Sequence, residues 1–232
     1  MYWFSGVNSH NKESYLNYIK MYKIAVITAK KTNPDIKPIF ILDGEIDSNI
    51  NELIQMGVRI VEHRVKFYDS LKEHYGDNTT AYGAFLRVDI PIICEQLNID
   101  EDYVLYTDND IMFISDISEI TENKPKTFMC AGEFTKIGRY MDMNSGVMWL
   151  NWKFLQSTYN DFTEFIKNNL SKFQVYDQDA YKLFYNESID RLNYRFNYKP
   201  YWGSYNDKKY FTSTDENLHF QMMNIQNFHS KI

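Results

Sequence analysis

Cysteine is scarce in this chain, with only Cys94 and Cys130 present. They fit no CxxC or zinc-ligand spacing, which removes a disulfide framework and leaves a reduced, intracellular chain as the expectation. Long apolar runs are missing as well, and none approaches the roughly 18 residues of a membrane span. Residues 1–6 lack the basic and apolar regions of a signal peptide, and the stretch after Asp215 holds no basic amphipathic helix. The expected chain is therefore cytoplasmic, with no intrinsic membrane segment. Positive charge is in deficit, with 25 Lys and Arg against 31 Asp and Glu, a net charge of −6. Nucleic acid is not an expected partner, because binding it takes a basic stripe. A diphosphate ligand would meet the same repulsion unless a divalent cation came with it. Neither GxGxxG nor GxxxxGKS/T occurs, so dinucleotide and P-loop readings drop away.

What the chain does have is enough length, 232 residues with 44% hydrophobic, to bury a substantial core. No linker, low-complexity tract or repeat divides it, so one domain over residues 1–232 is expected. Aromatics reach 17%, with 19 Tyr and 16 Phe, which suits stacking on sugar rings and bases and also suits core packing.

Apolar periodicity predicts a strand over 2–7, a helix over 15–31, a strand over 39–42, a helix over 47–56 ended by Gly57, and a strand over 58–62. A helix over 80–97, broken or kinked near Pro91, leads to a buried strand over 103–107. Strands over 126–131 and 147–151 and helices over 151–170 and 177–184 complete the pattern. Alternation of this kind implies an α/β fold with a mainly parallel sheet and ligands at the C-terminal strand edge.

Asp108-Asn109-Asp110 stands at that edge, directly after the strand over 103–107. Two carboxylates one residue apart can face one hard cation, and Mn²⁺ or Mg²⁺ fills its remaining positions with water and phosphate oxygens. A polar turn is the bland alternative. An EF-hand beginning at Asp108 fails, because Met112 stands where an oxygen ligand is needed and Phe113 where glycine is. A phosphatase of the haloacid dehalogenase type fits poorly at Met112 too.

Four blocks in order carry a resemblance to GT-A glycosyltransferases of family eight, the group of bacterial galactosyl- and glucosyltransferases and glycogenin. Residues 85–91, Phe-Leu-Arg-Val-Asp-Ile-Pro, resemble the arginine-bearing helix that precedes the metal motif, and Asp108-Asn109-Asp110 follows. Residues 144–151, Asn-Ser-Gly-Val-Met-Trp-Leu-Asn, resemble the family's "NxG" strand. Asp177-Gln178-Asp179 resembles its "DQD" helix start, and Arg195-Phe196-Asn197 its "xFN" segment.

The resemblance implies a single Rossmann-like GT-A domain. It further implies a metal-dependent transferase that uses a nucleotide sugar, a UDP-sugar in the family's pattern, and acts on a glycan or other hydroxyl acceptor. Phe4, Gly6, Val7 and Asn8 would cradle the nucleoside, Arg87 the donor sugar or diphosphate, and Asn109 the donor. Asp108 and Asp110 would bind metal, Asp108 also approaching the ribose. Asn144 and Asp177 would meet donor-sugar hydroxyls, while Ser145 and Gly146 let the backbone come close. Asp177 also suits the N-cap of its helix.

Gln178 would stand near the anomeric centre. Retention by front-face attack is implied, with a double displacement through Asp177 as the second route. An inverting enzyme with Glu133 or Asp142 as base, and a non-catalytic sugar- or nucleotide-binding module, stand as alternatives. The family's closing "HxxGxxKPW" stretch is incomplete: Leu218-His219-Phe220 supplies a histidine, but the lysine does not follow. His219, rather than His229 near the end, is the expected third metal ligand. Trp202 is an acceptor or core residue, and the loops over 132–143 and 201–210 are the expected acceptor regions.

Overall fold

The computed structural model describes residues 1–134, 140–141, 143–199 and 225–227. His219, Trp202, Asp142 and His229 lie outside the described residues, as does the side chain of Glu133.

A seven-stranded sheet forms the centre, in the order β10-β6-β9-β4-β1-β2-β3. Its strands are β1 (Tyr2–Asn8), β2 (Lys37–Asp43), β3 (Arg59–Glu62), β4 (Tyr103–Thr107), β6 (Phe128–Cys130), β9 (Val147–Asn151) and β10 (Ile189–Arg191). Only β9 runs antiparallel to its neighbours, β4 and β6; the other pairings are parallel. Two small antiparallel pairs lie outside it: β5 (Ile111–Phe113) with β11 (Ile225–Asn227), and β7 (Glu133–Phe134) with β8 (Tyr140–Met141).

β1 and β2 are buried on both sides, as parallel strands covered by helices must be. Phe4, Ile39, Ile41, Val104 and Tyr106 face one core layer, and Trp3, Phe40, Leu42 and Leu105 the other. α1 (Lys12–Thr32) covers the second layer with Ile19, Tyr22 and Val26. α2 (Ser48–Gln55) is capped by Asp47, whose carboxylate accepts from the Asn49 and Ile50 N–H groups, a contribution of about 1 kcal/mol. Gly57, just beyond α2, takes φ +78°, as the expected helix stop requires.

The expected break near Pro91 is present, and two other expectations about helices need correction. The expected helix over 80–97 is α4 (Thr79–Phe85), a 3-10 turn over Leu86–Asp89 and α5 (Ile90–Gln96). The break precedes Pro91, which sits in the first turn of α5, where a missing N–H costs nothing. The expected helix over 151–170 is two, α6 (Trp152–Ser157) and α7 (Tyr159–Asn169). At their junction the Thr158 hydroxyl bonds back to the Leu155 carbonyl at 3.2 Å, competing with the helix ladder. The last helix, α8 (Tyr176–Tyr185), has Val175 as its N-cap, so Asp177 lies inside the first turn and is not the cap. α3 (Tyr68–Tyr75) appears where periodicity gave no helix.

Candidate functional site

The strand order reverses between β1 and β4, so the loops after Asn8 and Thr107 open a crevice at the sheet's C-terminal edge. Asp108-Asn109-Asp110 occupies it. Asn109 braces the loop, its Nδ2 donating to the Gly6 carbonyl at 2.8 Å and its Oδ1 accepting from Ser5 Oγ at 2.6 Å. Both polar ends of that side chain turn onto β1, so the structure gives it a bracing part. Asp108 N donates to the Gly146 carbonyl at 2.8 Å, which ties the motif to β9.

Arg87 is the hub, and at 6% exposure it is no helix-surface arginine. The 3-10 turn over Leu86–Asp89 aims it inward. Nη2 donates to Asp108 Oδ1 at 2.9 Å, Nη1 to the Ser145 carbonyl at 2.5 Å, and Nε to the Ala84 carbonyl at 3.0 Å. Nε also lies 3.2 Å from Asp177 Oδ2, and the guanidinium sits over the Tyr106 ring at 4.3 Å. A planar fork is suited to this spread of partners, where an ammonium is not. Tyr106 Oη donates to Asp108 Oδ1 at 3.0 Å, so that oxygen is doubly held. Asp108 Oδ2 makes no hydrogen bond among the described residues, and the side chain is 26% exposed. Tyr106 escaped the sequence reading because its apolar neighbours mark it as core, which its ring is.

Asp177 is buried, and its carboxyl is pushed up to about 6, first by burial and then by the charge of Asp108, with Arg87 pulling the other way. Beside it, Gln178 Oε1 accepts from the Ser145 N–H at 3.1 Å. Asn144 Oδ1 accepts from the Gly146 N–H at 3.0 Å and from Asn197 Nδ2 at 2.7 Å, which joins the "NxG" and "xFN" segments. The four sequence blocks thus come together, although about 110 residues of chain separate the first from the last.

Two expectations about the nucleoside cradle do not hold for side chains. Phe4, at 0% exposure, and Val7, at 4%, are core residues, because their alternate positions on β1 point into the helical layers. At Gly6 a Cβ would stand 2.9 Å from the Ile41 carbonyl oxygen, so glycine serves close strand packing there. Asn8 does sit at the crevice, its Nδ2 donating to the Thr79 carbonyl at 2.7 Å. Beside it, His10, Tyr68 and Tyr82 gather their rings within 5.8 Å of one another, residues the sequence reading did not single out.

Asp110 is buried as well. The Tyr18 hydroxyl is raised above its usual range, by burial first and then by the fields of Asp110 and Asp108. Hard carboxylate oxygens of this kind fit Mg²⁺ or Mn²⁺. Among the described residues no group of three His, Cys, Asp or Glu side chains could hold a metal ion, so two carboxylates are what these residues offer. No helix among the described residues is long and apolar enough to cross a membrane.

No protein-family model matches the chain, and no curated protein does either. Solved structures do. The glycosyltransferase GlyE of Streptococcus pneumoniae TIGR4 aligns over 99% of this chain with a TM-score of 0.70 and 16% identity. The chain spans about half the length of GlyE, 55% of it. The galactosyltransferase LgtC, solved with donor and acceptor sugar analogs, aligns over 99% of this chain and 87% of its own, with a TM-score of 0.71 and 15% identity. Mouse xyloside xylosyltransferase 1 aligns over 98% and 97% of the two chains, with a TM-score of 0.63 and 13% identity. What these similarities establish is architecture: the chain has the GT-A fold.

Proposed function

We propose that the chain is a glycosyltransferase that moves a sugar from a UDP-sugar to a hydroxyl of a glycan acceptor, with retention at the anomeric carbon. The observation that carries this reading is the convergence of Arg87, Asp108 and Asp177 with the Ser145–Gln178 contact at the crevice where strand order reverses. Arg87 meets both carboxylates, Asp108 through Nη2 and Asp177 through Nε.

Asp108 and Asp110 are the residues that would hold Mn²⁺ or Mg²⁺. Such a cation, when bound, would neutralise charge on the departing diphosphate. Arg87 fixes Asp108 in place and turns its cationic edge toward the donor. Asp177, ionised at neutral pH against Arg87, accepts hydrogen bonds from donor-sugar hydroxyls. Gln178 spends Oε1 on Ser145, and its Nε2, which has no hydrogen bond among the described residues, is the end left for the donor near C1. The acceptor oxygen forms its bond to C1 on the face from which the diphosphate leaves, and the leaving oxygen takes the acceptor's proton.

The third metal ligand is to come from a C-terminal histidine. His219 is the expectation from resemblance, but the register of β11 favours His229. Asn227 pairs with Ile111, the residue after Asp110, and His229 follows Asn227 by two positions.

A panel of nucleotide sugars, each incubated with the protein and Mn²⁺, tests the reading by slow hydrolysis of one donor. Gln178→Ala should lower kcat for that donor far more than it raises KM. Absence of hydrolysis and of binding across the whole panel would sink the proposal.

A further inference from the structure

Tyr176 carries a backbone conformation that its side chain resists. At the first residue of α8 its φ is +40°, in the left-handed region. A bulky L residue rarely occupies it, because Cβ crowds the neighbouring carbonyl, whereas glycine does so freely. Such a conformation persists only where the surroundings over-determine it.

Here they do so from both sides. Upstream, Asp179 Oδ2 accepts from the Gln174 and Val175 N–H groups at 2.6 and 2.7 Å, folding the incoming chain onto the helix start. Downstream, Asp177 and Gln178 are engaged by Arg87 and Ser145. The Tyr176 side chain leaves this turn toward the α3–α4 corner. Its ring meets Tyr75 edge-on at 5.5 Å, and its hydroxyl accepts from Asn78 Nδ2 at 2.9 Å.

From Asn78 the path continues. Thr79, the next residue, gives its carbonyl to Asn8 Nδ2 at 2.7 Å. Gly83, one turn along α4, leaves room for that contact, since a Cβ there would stand 2.9 Å from Asn8 Nδ2. A continuous set of contacts therefore links Asp177 and Gln178 to Asn8 at the end of β1.

We propose that Tyr176 is a positioning residue that couples the two ends of the crevice, orienting Asp177 and Gln178 at one end and, through Asn78, Asn8 at the other. Its catalytic consequence rests on the glycosyltransferase reading; the mechanical link does not.

Amide hydrogen exchange on the unliganded chain tests the link directly. Wild type, Tyr176→Phe, Asn78→Ala and the double variant form a cycle, with Tyr176→Gly added as the variant that keeps the backbone angle and removes the side chain. Tyr176→Phe should raise exchange about fivefold in the peptides holding Asn8 and in those holding Asp177–Gln178. Asn78→Ala should do the same, and the double variant should add nothing further, because both changes cut one path. Tyr176→Gly should raise exchange at Asn8 while keeping the melting temperature close to that of wild type. Exchange that rises only around 174–180, or that adds across the cycle, would overturn the proposal.

With UDP-galactose and Mn²⁺, Tyr176→Phe should lower kcat and raise KM together, whereas a merely structural residue would lower only the folded fraction. A wild type that hydrolyses no nucleotide sugar would refute the proposed function and leave the exchange cycle to decide this inference alone.

Discussion

Replacing Asp177 with Asn should change how stability depends on pH, and the size of the change follows from the site. The Asp177 carboxyl is pushed up from 3.8 to about 6, mainly because burial disfavours its charge more than Arg87 restores it. In the unfolded chain the group returns to its ordinary value. Between pH 3.8 and about 6 the folded chain therefore holds more protons than the unfolded one, and stability falls as pH rises through that window.

The full cost of ionising Asp177 in place is about 3 kcal/mol, at 1.36 kcal/mol per pH unit. About 2 kcal/mol of it develops between pH 4.5 and 7.5. Asparagine cannot ionise and mimics the protonated carboxyl. The stability of Asp177→Asn minus that of wild type should therefore grow by about 2 kcal/mol over this range. Urea unfolding of both proteins in EDTA, at pH 4.5, 5.5, 6.5 and 7.5, measures it. A difference that stays flat with pH, or that grows toward acid, would refute the electrostatic account of Asp177. A gain in stability with a loss of turnover is what an ionised residue retained for function should show.

Arg87→Ala leaves Asp108 and Asp177 without their cation, and urea unfolding at pH 7.5 should show a loss of about 3–5 kcal/mol; a loss below about 1 kcal/mol would mean that the pair is solvated. Gly6→Ala places a Cβ 2.9 Å from a backbone oxygen of β2, where nothing flexible can give way, so a loss of about 1–3 kcal/mol is expected. A melting temperature unchanged from wild type would show that β1 and β2 are less tightly apposed than the structure has them. Between the two histidines, His229→Ala should abolish Mn²⁺-dependent UDP binding and His219→Ala should leave it nearly intact; the reverse pattern would restore the reading from sequence resemblance.

The strands were legible because buried parallel strands are short apolar runs: 39–42 and 103–107 stand out between polar turns, and Asp108-Asn109-Asp110 follows at the expected edge. Boundaries within long helical stretches were not. Pro91 was visible, but whether it kinks a helix or opens a new one depends on the 3-10 turn that buries Arg87. Thr158 divides α6 from α7 through a side-chain bond that periodicity does not register. In the candidate site, motif order identified Arg87, Asp177 and Gln178. It could not separate side chains in the crevice from side chains in the core, which is why Phe4 and Val7 moved to the core. Tyr106 was hidden for the opposite reason, since a tyrosine in an apolar strand looks like packing until its hydroxyl is found on Asp108. Backbone strain at Tyr176 leaves no sequence mark, because the residue suited to that angle is glycine.

The claim that the crevice is a cation-assisted nucleotide-diphosphate site is tested most directly by titrating UDP into the protein in a calorimeter, with Mn²⁺ and then with EDTA. Two phosphates approaching Asp108 and Asp110 repel them unless a cation lies between. Mn²⁺ should therefore tighten binding at least about tenfold, or about 1.4 kcal/mol, and Asp110→Asn should erase the difference. Equal affinities with Mn²⁺ and with EDTA would contradict the account.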